Sequence, residues 1–160
     1  MSRCSFTLKK KVFFDKYYKS FLVTLLIQFL LKNGKKNIAM KIVYKTFIYI
    51  EEQTQKNALK IFEQALFNTK LLFEFKNNKD KTNTNNTDQI PYEITSFRSI
   101  LLAIKTLIKE AKKSISYTFS IKLANEIIGA ANGFGKLVKN AEANKLLAKT
   151  YQPFLYFDNF

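Results

Sequence analysis

Apolar residues recur at helical spacing along most of the chain, with one stretch of strict alternation near the middle. In Tyr17–Lys32, residues Phe21, Leu22, Leu25, Leu26, Phe29 and Leu30 fall three and four apart, which predicts a first helix. Asn33-Gly34 closes it, because glycine takes the left-handed cap conformation without steric cost. A second helix is predicted over Asn37–Gln53, with Asn37 as its cap and Ile38, Ala39, Ile42, Val43 and Phe47 on its inner face. A third is predicted over Asn57–Thr69, with Leu59, Phe62 and Leu66 inside.

The period then changes. Leu71–Lys76 (LLFEFK) and Ile90–Thr95 (IPYEIT) alternate apolar and polar residues, as half-buried strands do. The intervening KNNKDKTNTNNTDQ is rich in Asn and Thr and cannot pack a core, so a projecting hairpin is predicted over about 71–95. A two-stranded ribbon is marginal in water by itself, which points to a partner for it. Helical spacing returns at about Phe97, where Ile100, Leu101, Ile104, Ile108 and Ala111 form a stripe. Ser116 is the expected cap of a fifth helix with an apolar band of Ile121, Leu123, Ala124, Ile127, Ile128 and Ala131. Asn132-Gly133 and Gly135 interrupt it, and Lys136–Thr150 forms a weakly amphipathic sixth helix. The expected fold is mainly α, a six-helix bundle-like domain with one projecting two-stranded β-hairpin. A basic arm (1–16) precedes the helical domain (17–151). An aromatic tail (152–160) follows, expected to pack back on the domain.

Charge changes the picture from a fold to a partner. Lys and Arg number 27 against 12 Asp and Glu, a formal net charge of +15. Residues 1–50 hold eleven basic residues and one acid, Asp15; residues 51–95 hold six and seven; residues 96–160 hold ten and four. Such a field attracts polyanions, and its self-repulsion costs stability unless a partner neutralises it.

Catalytic chemistry is largely excluded. The chain has no His, and Cys4 is its single cysteine, so neither an intrachain disulfide nor a four-ligand zinc site can form. No glycine-rich phosphate loop is present. No cofactor or metal is expected, and an enzyme is the weakest reading. The apolar stretch Phe21–Leu31 contains Thr24 and Gln28 and falls short of the roughly 20 residues that span a bilayer. A membrane partner is therefore not expected. A DNA-reading helix-turn-helix would need base-reading side chains on helix two, which is apolar and Lys-bearing instead. The alternatives kept are a general basic nucleic-acid binder and a membrane-surface helical protein.

The most specific segment is Ser20–Thr46, SFLVTLLIQFLLKNGKKNIAMKIVYKT. A helix ends at a glycine, two lysines occupy the turn, and the N-terminus of a second helix, which favours anions, follows. The spacing of Ser20, Leu22, Leu26-Ile27, Gly34-Lys35-Lys36, Ile42-Val43 and Thr46 resembles the signature of the small-subunit ribosomal protein seven family. NALKIFEQAL is similar to its third helix. FEFK and QIPYEI, with Glu74 and Gln89-Ile90-Pro91, resemble its β-ribbon. KLANEIIGAAN resembles its fifth helix, and AEANK (Ala141–Lys145) the start of its last helical segment. The resemblance spans about Tyr17–Tyr151. It implies a structural constituent of the small subunit that binds and organises the head (3′ major) domain of small-subunit rRNA. It further implies neighbouring head proteins as partners, and a hairpin near exit-site tRNA and outgoing mRNA. The tip here departs from the family in being longer, Asn/Thr-rich and mixed in charge.

Cations are the expected RNA contacts. Lys9, Lys10, Lys11, Lys16 and Lys19 belong to the arm and its junction; Lys32, Lys35, Lys36 and Lys41 to the turn and helix two; Lys76, Lys79 and Lys81 to the hairpin. Arg98, Lys105, Lys109, Lys112 and Lys113 add a strip on helix four, and Lys136, Lys139 and Lys145 lie on helix six. Lys105, Lys109 and Lys112 share one side by helical spacing. Ion pairing with phosphates dominates affinity in such a protein, and shape fits it to RNA junctions. Heavy use of Lys, Asn, Phe, Ile and Tyr suggests an AT-rich genome, from which a mitochondrial location is expected, with the plastid as the alternative.

Overall fold

A computed structural model describes residues 14–78, 88–115 and 118–155; for 75–78, 88–91 and 148–155 it describes the backbone alone. Six helices and one ribbon follow in the order α1 (Phe21–Leu30), α2 (Lys36–Thr54), α3 (Ala58–Thr69), β1 (Phe73–Asn78), β2 (Asp88–Glu93), α4 (Ser96–Lys113), α5 (Phe119–Ala131) and α6 (Lys136–Leu155).

Helix α5 is the axis of the core, packing against α2, α3 and α4. Leu123, Ala124 and Ile127 are wholly buried, and the small Ala130 and Ala131 let neighbours come close at its C-terminal end. That end would leave carbonyls unpaired. The Asn68 amide on α3 donates to the carbonyls of Ala130 (2.9 Å) and Ala131 (3.0 Å). Val43, Phe47 and Ile50 of α2, Phe62 and Ala65 of α3, and Ile104 and Leu107 of α4 complete the buried layer. Phe47 is held between rings, edge-on to Tyr18 at 4.9 Å and tilted to Phe62 at 5.7 Å. Thr46, buried beside it, donates its hydroxyl to Ile42 O (2.8 Å) and Ser120 O (3.3 Å).

Several boundaries differ from the sequence expectation, each for a local reason. Helix one starts at Phe21 rather than Tyr17. The Asp15 carboxylate accepts from the amides of Tyr17 (3.1 Å) and Tyr18 (3.2 Å), and Lys19 turns to φ 47°. A side chain that satisfies these amides competes with helix there. The helix stops at Leu30, not Lys32, and Gly34 is not its cap. Asn33 (φ 50°) and Gly34 (φ 73°) are instead the two central residues of a tight turn closed by Lys35 N to Lys32 O, 3.0 Å. Two positive φ values in succession are the type I′ geometry that Asn-Gly favours. Lys35, not Asn37, is the N-cap of α2, so Asn37 lies inside the first turn. The buried face of α2 runs through Ala39, Val43, Thr46, Phe47 and Ile50, which leaves Ile38 at 54% exposure rather than on the inner face. Phe29 is likewise outside the core, at 39%. Ser116 lies outside the described residues, and Thr118 is the N-cap of α5.

The ribbon is antiparallel, with Glu74 opposite Tyr92 and Asn78 opposite Asp88. Its strands sit two residues nearer the tip than the alternation predicts. The base is taken up by α4 instead: buried Ser99 donates its hydroxyl to the Leu71 carbonyl. Helix α6 runs to Leu155, beyond the expected Thr150, and packs on α3, α4 and both strands.

Candidate nucleic-acid interface

The Lys32–Lys36 turn is built so that its ammonium groups face water. Lys32, Lys35 and Lys36 are all exposed, and neither recorded ion pair among the described residues involves them. The I′ turn puts Lys35 at the N-cap and Lys36 at the first position of α2. Gly34, Lys35, Lys36, Asn37 and Ile38 border an open hollow of about 310 Å³ there. A helix N-terminus carries partial positive charge, and this first turn holds no acid to offset it. Lys16 reaches the same end of the molecule, since it lines a groove with Lys36 between α1 and α2.

The second tract follows α4. Lys105, Lys109 and Lys112 are exposed on one side of the helix. Arg98 shares that side but is committed within the protein. Its Nε (3.1 Å) and a terminal nitrogen (2.8 Å) both donate to Oε2 of Glu74 on β1. The Tyr92 hydroxyl donates to the same oxygen at 2.5 Å. The Tyr92 bond first, then Arg98, hold the Glu74 pKa below its ordinary value, with Lys105 adding to the effect. The triad ties the ribbon to α4. At the other end Lys113 pairs with Glu110 at 2.7 Å. The Lys113 hydrogen bond first, with Lys136 and Lys109 adding to it, holds the Glu110 pKa below its ordinary value. Burial, then the charge of Glu110, raise the pKa of Glu126 on α5.

Of the other expected contacts, Lys19, Lys41, Lys136, Lys139 and Lys145 are exposed. Lys76 sits on β1 opposite Ile90, with its backbone alone described. Lys9, Lys10, Lys11, Lys79 and Lys81 lie outside the described residues. The start of α1 abuts the start of α4, where Phe21 stacks on Phe97 at 6.2 Å. The turn lies at the opposite end of α1, roughly 15 Å away for ten residues. The described cations thus form two tracts separated by the uncharged α1 rather than one patch.

Sequence reasoning missed two positioning groups. One is the Glu74–Tyr92–Arg98 triad, which pairs residues up to 24 apart in the chain. The other is Asp15, 8% exposed, whose Oδ1 accepts from the Tyr44 hydroxyl at 2.8 Å. Burial and this bond push the Tyr44 pKa up to about 12. The available signal was that Asp15 is the sole acid in the first fifty residues.

Among the described residues no group of acids, Cys or His is placed to hold a metal ion. No described helix is long and apolar enough to cross a membrane. A basic helical body with two tracts of outward-facing cations has the make-up of a structural protein for a polyanion. The family described as Ribosomal protein S7p/S5e matches residues 2–151. The chain is 38% identical over 142 residues to a small ribosomal subunit protein uS7c of Trieres chinensis, covering 89% of this chain and 88% of that one. It is 36% identical over 157 residues to the uS7c protein of Cyanophora paradoxa, covering 98% and 99%. It is 34% identical over 157 residues to the uS7 protein of Thermosynechococcus vestitus, again covering 98% and 99%. The chain belongs to the ribosomal protein S7p/S5e family, whose members are structural, non-enzymatic components of the small ribosomal subunit.

Proposed function

We propose that the protein binds the head (3′ major) domain of small-subunit rRNA and organises it within the small ribosomal subunit, near the tRNA exit site. The observation that carries this reading is the Lys32–Lys36 turn. Its backbone is fixed by two positive φ values, and its three ammonium groups have no acid partner among the described residues. Preorganised cations at a helix N-terminus suit the backbone phosphates of an RNA junction. The α4 tract supplies a second line of phosphate contacts. The Glu74–Tyr92–Arg98 triad and α6 hold the ribbon base in one orientation, as a ribbon reaching towards exit-site tRNA, mRNA or a neighbouring head protein requires. The uS7c relatives favour a plastid ribosome over the mitochondrial one that composition suggested.

Co-sedimentation with small ribosomal subunits through a salt series tests the proposal. Retention at salt that strips loosely bound basic proteins is the expected result. Release at moderate salt from intact subunits would refute it. Fractionating plastids from mitochondria before the gradient tests the compartment: the protein is expected with plastid subunits, and recovery with mitochondrial ones would reverse that assignment.

A further inference from the structure

The groove between residues 14–16, α1 and the first turns of α2 has a composition that phosphate binding alone does not explain. It encloses about 570 Å³, within the range of small-molecule sites. Buried Ile27 and half-buried Met40 give it an apolar floor. Phe14 lines it with 61% of its surface exposed. Gln28 and Asn37 bring exposed side-chain amides to it, each able to donate and accept. Lys16 and Lys36 contribute the charge. Asp15 is the one acid on the wall, and its two oxygens are already engaged by Tyr17, Tyr18 and Tyr44.

A bare phosphate would have no use for the apolar floor or the aromatic ring. An apolar side chain of a protein would have no use for two ammonium groups. A nucleotide uses every part: its flat base covers Phe14 and Met40, its edge meets the amides, and its phosphates meet the lysines. Resting on the rRNA-binding reading above, we infer that the groove receives a single unstacked nucleotide from the RNA. The site would add a contact that salt weakens little to an otherwise electrostatic interface.

The test is an NMR titration of the full chain with AMP, GMP, CMP and UMP, set against inorganic phosphate at matched ionic strength. Nucleotides are expected to shift the Ile27 and Met40 methyl signals and the Gln28 and Asn37 side-chain amides, saturating in the millimolar range. Phosphate is expected to leave the methyl signals in place. Phe14→Ala should weaken nucleotide binding about tenfold, with an unchanged thermal melt because the ring is mostly exposed. Methyl signals that no nucleotide moves, or nucleotide binding that Phe14→Ala leaves intact, would overturn the proposal. So would a nitroxide on Cys4 that broadens the same methyl signals whether or not nucleotide is present, since the basic arm would then fill the groove. Mononucleotide binding is read on the protein alone, so it stands or falls separately from co-sedimentation with the subunit.

Discussion

Replacing Lys35 and Lys36 together with Ala removes two ammonium groups that no acid screens among the described residues. If both neutralise phosphates, each contributes about 0.7–0.9 to the slope of log affinity against log salt. The double variant should therefore flatten the slope by about 1.6. Because that term vanishes near 1 M salt, the affinity loss is about fortyfold at 0.1 M and about sevenfold at 0.3 M. Filter binding to a head-domain rRNA fragment at four salt concentrations measures both quantities. Lys113→Ala is the internal control. Its ammonium is 2.7 Å from Glu110, so part of its charge is already spent within the protein and its effect on the slope should be smaller. Helix content should not change in either variant, since all three side chains are exposed. An unchanged slope in the double variant, or a larger change in Lys113→Ala, would refute the assignment of the turn as the primary phosphate contact.

Other consequences are more local. Phe47→Ala should destabilise the fold by about 3–5 kcal/mol, because a wholly buried ring is lost along with its contacts to Tyr18 and Phe62; urea unfolding followed by circular dichroism reads it, and a loss below about 1 kcal/mol would contradict this packing. Folding lowers the Glu74 pKa, so its stabilisation is present above the ordinary value of 4.5 and is lost as pH falls through the lower folded value. The Arg98 Nε–H resonance should therefore hold its position on acidification to pH 4.5 and move only below it, and Glu74→Gln should abolish that step. Folding raises the Tyr44 pKa to about 12, so its contribution persists through pH 10 and is lost as pH rises through about 12. Burial also raises the Tyr18 pKa, and the Glu74 bond that of Tyr92, so the Tyr44 ring is followed individually by NMR. It should titrate near 12, and Asp15→Asn should lower it towards 10, whereas an unmoved Tyr44 would break the link between the two residues.

Much of the helical framework was legible in order and period. The α3 segment is a clear case: Asn57 caps it by accepting from Leu59 N at 2.9 Å, and Phe62 and Leu66 are buried as their spacing requires. Of the α4 stripe Ile104, Ile108 and Ala111 are buried, and of the α5 band Leu123, Ala124, Ile127 and Ala131, while Ile121 stays outside the core. Periodicity failed where local polar chemistry decided the backbone. Asp15 stopped α1 from extending backwards, and Asn33-Gly34 made a tight turn instead of a cap. A helical wheel cannot foresee either, because both depend on which amide a side chain or a neighbouring carbonyl reaches.

The sequence by itself determined the mainly helical class, the single ribbon, the family and the excess of positive charge. These follow from apolar period, from motif spacing and from composition, all of which are properties of the chain in order. Only the tertiary structure decided which cations are available. Arg98 looks equivalent to Lys105 and Lys109 in sequence, yet the fold brings Glu74, 24 residues away, to its guanidinium. Only packing placed Phe14 and Lys16 beside Lys36 and Met40, some twenty residues further along the chain, and so made a groove. Charge is additive along a sequence, whereas its availability depends on distances of a few ångströms that folding alone sets.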